Sequence, residues 1–165
     1  MNIRSATIYD IEAVTRVHYE AVHGDTPANF YTQEILQSWA PSPTDEVRLN
    51  RLRYMIESSD RVLVVAELDN KSVIGFGSII LSEHEIRALY VDPMYEHQGV
   101  GTKILAYLEA LALQHGVNTL ELKASLNAET FYLHHGYSVI QCDYHHLSSD
   151  LQMECIKMSN ELHKH

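Results

Sequence analysis

Apolar residues recur along this chain with two different periods, and the alternation between them predicts a mixed α/β order. Ile3 to Thr7 reads as a short opening strand; Ile11, Val14, Val17, Ala21 and Val22 then fall at helical spacing, with Gly24 placed to stop the helix. Two further helical pieces follow, Gln33 to Trp39 and about Thr44 to Ser58, and Leu49, Leu52, Met55 and Ile56 keep the helical period in the second. They are expected to form a cover. From Arg61 to Leu68 the apolar run is rich in Val, as in a strand buried on both faces, and Asp69-Asn70 turns it into Val73 to Leu81, which predicts a hairpin. Glu85 to Val91 is a further strand, ended at Asp92-Pro93 because proline has no N–H for a ladder. Thr102 to His115 carries Ile104, Leu105, Leu108, Leu111 and Ala112 on one face, and Gly116 sits where a left-handed cap is wanted. Leu120 to Leu122 is a strand, Asn127 is placed to cap a short helix running to about His135, and Gly136 ends it; Tyr137 to Cys142 and Gln152 to Met158 are the last two strands.

No repeat, low-complexity segment or Gly/Ser-rich linker divides the 165 residues, so one domain over 1–165 is expected, with 45% apolar residues to fill a core. The 22 acidic and 12 basic side chains leave a net charge of -10, and no Lys/Arg stripe is present to track a phosphate backbone, so no nucleic-acid partner is expected. Apolar runs such as Val62 to Ala66 fall far short of the roughly 20 residues of a membrane span. The N-terminus also lacks the charged-then-apolar layout of a signal peptide, which together predicts a cytoplasmic protein with no membrane partner. Cys142 and Cys155 lie outside any CxxC spacing and are expected to be buried free thiols. Among the 11 histidines, the neighbours His134-His135 and His145-His146 diverge whether on a helix or a strand, no HExxH occurs, and the terminal His163-Lys164-His165 suits only weak nickel binding. No functional metal is expected.

The segment Tyr95 to Thr102 follows a strand and opens an amphipathic helix, so its backbone N–H groups and the positive helix end converge on one point suited to an anion. Gly99 and Gly101 let the backbone approach a phosphate, Thr102 adds a hydroxyl and Lys103 a cation. A lone GxG also fits an ordinary tight turn. A dinucleotide fingerprint would need a third glycine where Ile104 stands, and a P-loop would need GKS or GKT. What adds weight is the wider pattern: Leu89-Tyr90-Val91-Asp92-Pro93 leads into Gly99-Val100-Gly101, and 26 residues after Gly101 comes Asn127-Ala128-Glu129-Thr130-Phe131-Tyr132, ending in Gly136-Tyr137.

This arrangement resembles the GCN5-related N-acetyltransferase family from about Arg61 to Ile140, and also in the opening strand and first helix. The resemblance implies a mixed, mostly antiparallel sheet of about six to seven strands flanked by about four helices, splayed between the Leu89–Val91 and Leu120–Leu122 strands to admit acetyl-CoA. It implies acetyl transfer to a primary amine of a small molecule or peptide in a ternary complex. Gln98, Gly99, Val100, Gly101, Thr102 and Lys103 would hold the pyrophosphate; Leu89, Tyr90 and Val91, with Asn127, Phe131 and Tyr132, would lie along the pantetheine arm. Tyr132 matches the residue that assists departure of the CoA thiolate, which a phenol of pKa ~10 can do while protonated. Glu85 falls where several members place a general base, although Glu83, His84 and Glu85 also fit a solvated hairpin end. Phe30, Tyr31 and Trp39 are candidate walls of the acceptor site, and core packing explains them equally well. The chain departs from the pattern at Glu96, where Arg or Gln is usual; a carboxylate there repels a pyrophosphate. A non-catalytic acyl-CoA-binding sensor or interaction module is the rival expectation, and the assembly is expected to be a monomer or a homodimer.

Overall fold

The computed structural model describes residues 1–147 and 150–163, so Lys164 and His165 of the terminal histidine cluster lie outside the described residues. Seven strands form one sheet: β1 (Asn2–Ser5), β2 (Arg61–Glu67), β3 (Val73–Ile80), β4 (Glu85–Val91), β5 (Thr119–Ser125), β6 (Ser138–His146) and β7 (Gln152–Glu161), in the order β1-β2-β3-β4-β5-β7-β6. Every neighbouring pair is antiparallel except β4–β5, which is parallel. Six helices surround it among the described residues: α1 (Ile11–Val22), α2 (Asp25–Ala28), α3 (Gln33–Trp39), α4 (Glu46–Glu57), α5 (Val100–Gln114) and α6 (Glu129–His134). The two pieces of the expected cover are α3 and α4, and the region after Gly24 adds the short α2, which takes the count above four. None of the described helices is long and apolar enough to cross a membrane.

The unbroken apolar pattern of β2 follows from burial on both faces. Val64 and Ala66 pack with Ile104, Leu105, Leu108 and Ala112 of α5, whereas Leu63 and Val65 meet Val14 and Val17 of α1 and Leu49 and Leu52 of α4. Helix α5 lies very close to β3: a Cβ added at Gly77 would stand 2.8 Å from Ile104 Cγ2 and 3.0 Å from Leu108 Cδ1. A smaller cluster of Val22, Tyr31, Leu36, Ala40 and Met153 joins α1 and the α2–α3 cover to β7.

The other half of the sheet is differently exposed. β6 is an edge strand, accessible along most of its length, and runs to His146 rather than Cys142 because it pairs with β7 as far as Gln152. That placement corrects one expectation: Cys155 on β7 is buried, but Cys142 on β6 is exposed.

Candidate active site

The sheet opens where the parallel pair β4–β5 ends. β4 and β5 share the partners Glu85–Glu121 and Ile86–Leu122 and none beyond, so the C-terminal half of β4 has a free edge. The amide of Asp92 donates to Ile74 O on β3 at 2.8 Å. By alternation the Tyr90 amide also points to β3, and those of Leu89 and Val91 point into the opening.

One end of the opening is a cavity of about 540 Å³, lined among others by Leu89, Val91, Tyr95, Gly99, Val100, Gly101, Thr102, Asn127, Phe131 and Tyr132. Asp92 fixes its entry: its side chain accepts from the Met94 amide at 2.9 Å and from Arg16 of α1 at 3.1 Å. The following turn uses two left-handed residues, His97 at φ 60° and Gly99 at φ 83°. Gly99 supplies that conformation at no steric cost and starts α5 without a side-chain cap. The first helical bond is Lys103 N–H to Gly99 O at 3.1 Å, so the amides of Val100, Gly101 and Thr102 have no partner within the helix and present donors to an anion. Gly101 lies beside α6, with the Phe131 ring 3.4 Å from where its Cβ would be, an ordinary contact distance. The Thr102 hydroxyl is within 3.0 Å of His135 Nε2, whose Nδ1 is 2.7 Å from Phe131 O. With its ring proton on Nδ1, His135 donates to that carbonyl and accepts from Thr102, which ties the cradle to α6.

The other end is a cavity of about 200 Å³ lined by residues of α3, β4, β5, β6 and β7, including Glu85, Arg87, Lys123, His145 and Cys155. Trp39, Leu89, Tyr90, Ser125, Ala128 and Tyr132 line both cavities and mark where they meet. Trp39 Nε1 donates to the Tyr90 hydroxyl at 3.0 Å, and the Tyr90 ring meets His18 edge-on at 4.6 Å. Burial pushes the Tyr90 phenol up to about 12 and holds His18 well below its ordinary value, so both are neutral near pH 7. Tyr132 is buried, its hydroxyl has no hydrogen-bond partner among the described residues, and desolvation pushes its pKa above the ordinary phenol value. It is a protonated donor facing the junction.

The sequence-derived candidates separate into groups. Leu89, Tyr90, Val91, Gly99, Val100, Gly101, Thr102, Asn127, Phe131 and Tyr132 all line the larger cavity; Gln98 and Lys103 do not, and Gln98 Nε2 instead reaches back to Met94 O at 3.5 Å. Glu96 lines that cavity from an exposed position, where water screens its charge. Glu85 lines the smaller cavity with its carboxylate held by Arg87 Nε at 2.9 Å. Of the expected walls, Trp39 lines both cavities, but Phe30 is 50% exposed and lines neither. Tyr31 is buried behind the wall: its hydroxyl donates to Glu154 O at 2.6 Å and accepts from the Leu126 amide at 2.8 Å. Asn127 does not cap α6. It sits in the 3-10 turn Leu126–Ala128, the chain enters α6 through Ala128, and Asn127 Oδ1 is buried with no partner. Arg87, Lys123, His145 and Cys155 were not among the candidates, since their strands bring them together from distant stretches with no local motif. No group of three or more His, Cys, Asp or Glu side chains suited to a metal occurs among the described residues.

A helix start with open amides suits an anionic ligand, and a buried phenol lies where the two cavities meet. Residues 27–137 match the model of the acetyltransferase (GNAT) family, and the chain belongs to that family. It is 26% identical over 161 residues to a spermidine N(1)-acetyltransferase of Thermoplasma acidophilum, a match covering 93% of this chain and 96% of that protein. Among solved structures, a GCN5-related N-acetyltransferase from Rhodopseudomonas palustris superposes with a TM-score of 0.85 at 25% identity, covering 98% of this chain and 95% of the other. The PaiA N-acetyltransferase of Thermoplasma acidophilum, in complex with coenzyme A, gives 0.77 at 22% identity, with 98% of each chain covered.

Proposed function

We propose that this single-domain protein acetylates a primary amine of a small molecule or peptide by direct attack on acetyl-CoA in a ternary complex. The observation that supports this reading is that the two cavities meet at Tyr132, Leu89 and Tyr90, so that a cofactor in one and an acceptor in the other would face the same buried donor. The amides of Val100, Gly101 and Thr102 hold the pyrophosphate; Asn127 Oδ1, orphaned in the free protein, accepts from an amide of the pantetheine arm. That arm lies along the free edge of β4, where acetyl-CoA supplies the activated thioester. The Leu89 or Val91 amide polarises the carbonyl as the amine attacks, and the Tyr132 hydroxyl donates to the sulfur as CoA departs.

Glu85 takes the ammonium proton through water. Leu89 stands four steps further along the strand, about 13 Å at the rise of a β-strand, which is too far for direct contact with the reacting carbon. The relative that acetylates spermidine supports an amine acceptor. The protein is expected to work in the cytoplasm as a monomer or homodimer, without nucleic acid.

Thermal melts against acetyl-CoA, free CoA and NADH test the cradle, and a thiol-release assay over an amine panel tests transfer. The expected result is a midpoint that climbs with either CoA species and not with NADH, together with turnover on at least one amine. Binding of CoA with no acetylation across the panel would leave only the sensor.

A further inference from the structure

The cofactor cradle holds one hydrogen bond that points the wrong way for an anion. Thr102 lines the larger cavity beside the open amides of Val100 and Gly101, and its hydroxyl lies 3.0 Å from His135 Nε2. His135 Nδ1 lies 2.7 Å from Phe131 O. A carbonyl can only accept, so Nδ1 carries a proton; with that proton alone, Nε2 is an acceptor and the Thr102 hydroxyl donates to it. The hydroxyl then turns lone pairs, and no proton, toward an incoming pyrophosphate.

A second proton on the ring reverses this. Nε2–H donates to Thr102 Oγ1, Nδ1–H keeps Phe131 O, and the hydroxyl proton is released toward the anion. Both heavy-atom distances suit either state, so neither α5 nor α6 has to move. The imidazolium also stands one hydroxyl away from the phosphate, and a charged donor strengthens such a chain. Its surroundings suit a cation: His135 is the C-cap of α6, where the helix end is negative. Glu109, seven residues along α5 from Thr102, is fixed just past α6 by Tyr137 Oη at 3.0 Å and Asn160 Nδ2 at 3.4 Å. On the other side of the balance, the His134 ring is 5.4 Å away. Lys103, next along α5, is exposed and lines neither cavity. β5 turns Leu120, Leu122 and Ala124 to this core, and the start of β6 from Ser138 to Gln141 is uncharged.

We propose that His135 is a positioning residue for the cofactor: it takes a proton from solvent as the pyrophosphate binds, donates Nε2–H to Thr102, and so turns the Thr102 hydroxyl into a donor to phosphate. The proton returns to solvent when CoA leaves. This rests on the amide cradle at the start of α5 and deepens that reading. Because the complex binds one more proton than the free protein, affinity is fully gained below the range in which a histidine titrates and is lost as the pH rises through it.

The test is calorimetry of dephospho-CoA, whose pyrophosphate keeps its charge across that range, whereas the 3′-phosphate of CoA does not. Binding is expected to be about tenfold tighter at about pH 6 than at about pH 8, the change that a one-unit rise in a histidine pKa produces. Binding enthalpies in phosphate and Tris buffers should differ in the sense of proton uptake. His135→Gln and Thr102→Val are each expected to abolish the pH dependence and the uptake, Thr102→Ser to keep both, and His97→Asn, at the other histidine that lines this cavity, to keep both. Affinity of the wild type independent of pH overturns the proposal. So does dependence that survives His135→Gln, or that survives Thr102→Val, since the imidazolium would then meet the phosphate directly. In all three outcomes the cradle still binds; failure of CoA and dephospho-CoA to bind at any pH removes the cradle itself, and His135's part in it.

Discussion

The two cavities that meet at Tyr132 are made from different materials. The larger is mostly main chain: free amides at the start of α5, a left-handed Gly99, the open edge of β4. The smaller is made of side chains drawn from α3, β4, β5, β6 and β7. A backbone site survives many substitutions, provided the few positions with special conformational or spatial demands are kept. A side-chain site changes its ligand with nearly every substitution. One molecule can therefore hold a constant donor at one end and a variable acceptor at the other.

Substitutions can separate the two ends. The largest effect is expected at their junction, where Tyr132→Phe should lower kcat by about 10²-fold or more and leave the KM for acetyl-CoA nearly unchanged; undiminished turnover would remove the phenol from the chemistry. Next, Gly77→Val should damage both ends together, since any Cβ collides with Ile104 and Leu108 and pushes α5 off the sheet. The expected cost is about 1–3 kcal/mol, seen as a melt several degrees lower. Asn127→Leu should act on the cofactor end alone, raising the KM for acetyl-CoA by about tenfold without lowering the melting temperature of the free protein, because the lost oxygen has no partner there. Smallest, Thr102→Val should raise that KM about two- to tenfold by removing a hydroxyl and its link to His135, with kcat unaffected. A variant of either cofactor-end residue that shifted amine preference instead would erase the distinction between the ends.

The same contrast explains what the sequence discloses. The cradle was legible because its demands are local: a left-handed position requires Gly99, the Gly99-Val100-Gly101 spelling marks the helix start, and α5 announces itself by period. The β2–β3 hairpin was legible for the same reason, since the turn at Asp69-Asn70 is local, whereas β1 finds β2 only across the whole helical region. The acceptor end was not. Tyr31 reaches partners 95 and 123 residues away, which turns an apparent wall into a brace. Lys123 and His145 gather beside Glu85 only because β5 is placed next to β4, and β7 between β5 and β6. Asn127 has the chemistry of a helix cap, but a preceding 3-10 turn carries it away from the helix axis.

The two-residue pairing of β4 with β5 has a further meaning. A sheet that closed fully along this seam would satisfy the Leu89 and Val91 amides within itself and leave no room for a guest. Here the hydrogen bonding of the fold is left unfinished at one place, and a linear molecule with amides of its own can finish it. A ligand pairing with that edge would act as a borrowed strand, and its recognition would begin as a continuation of folding.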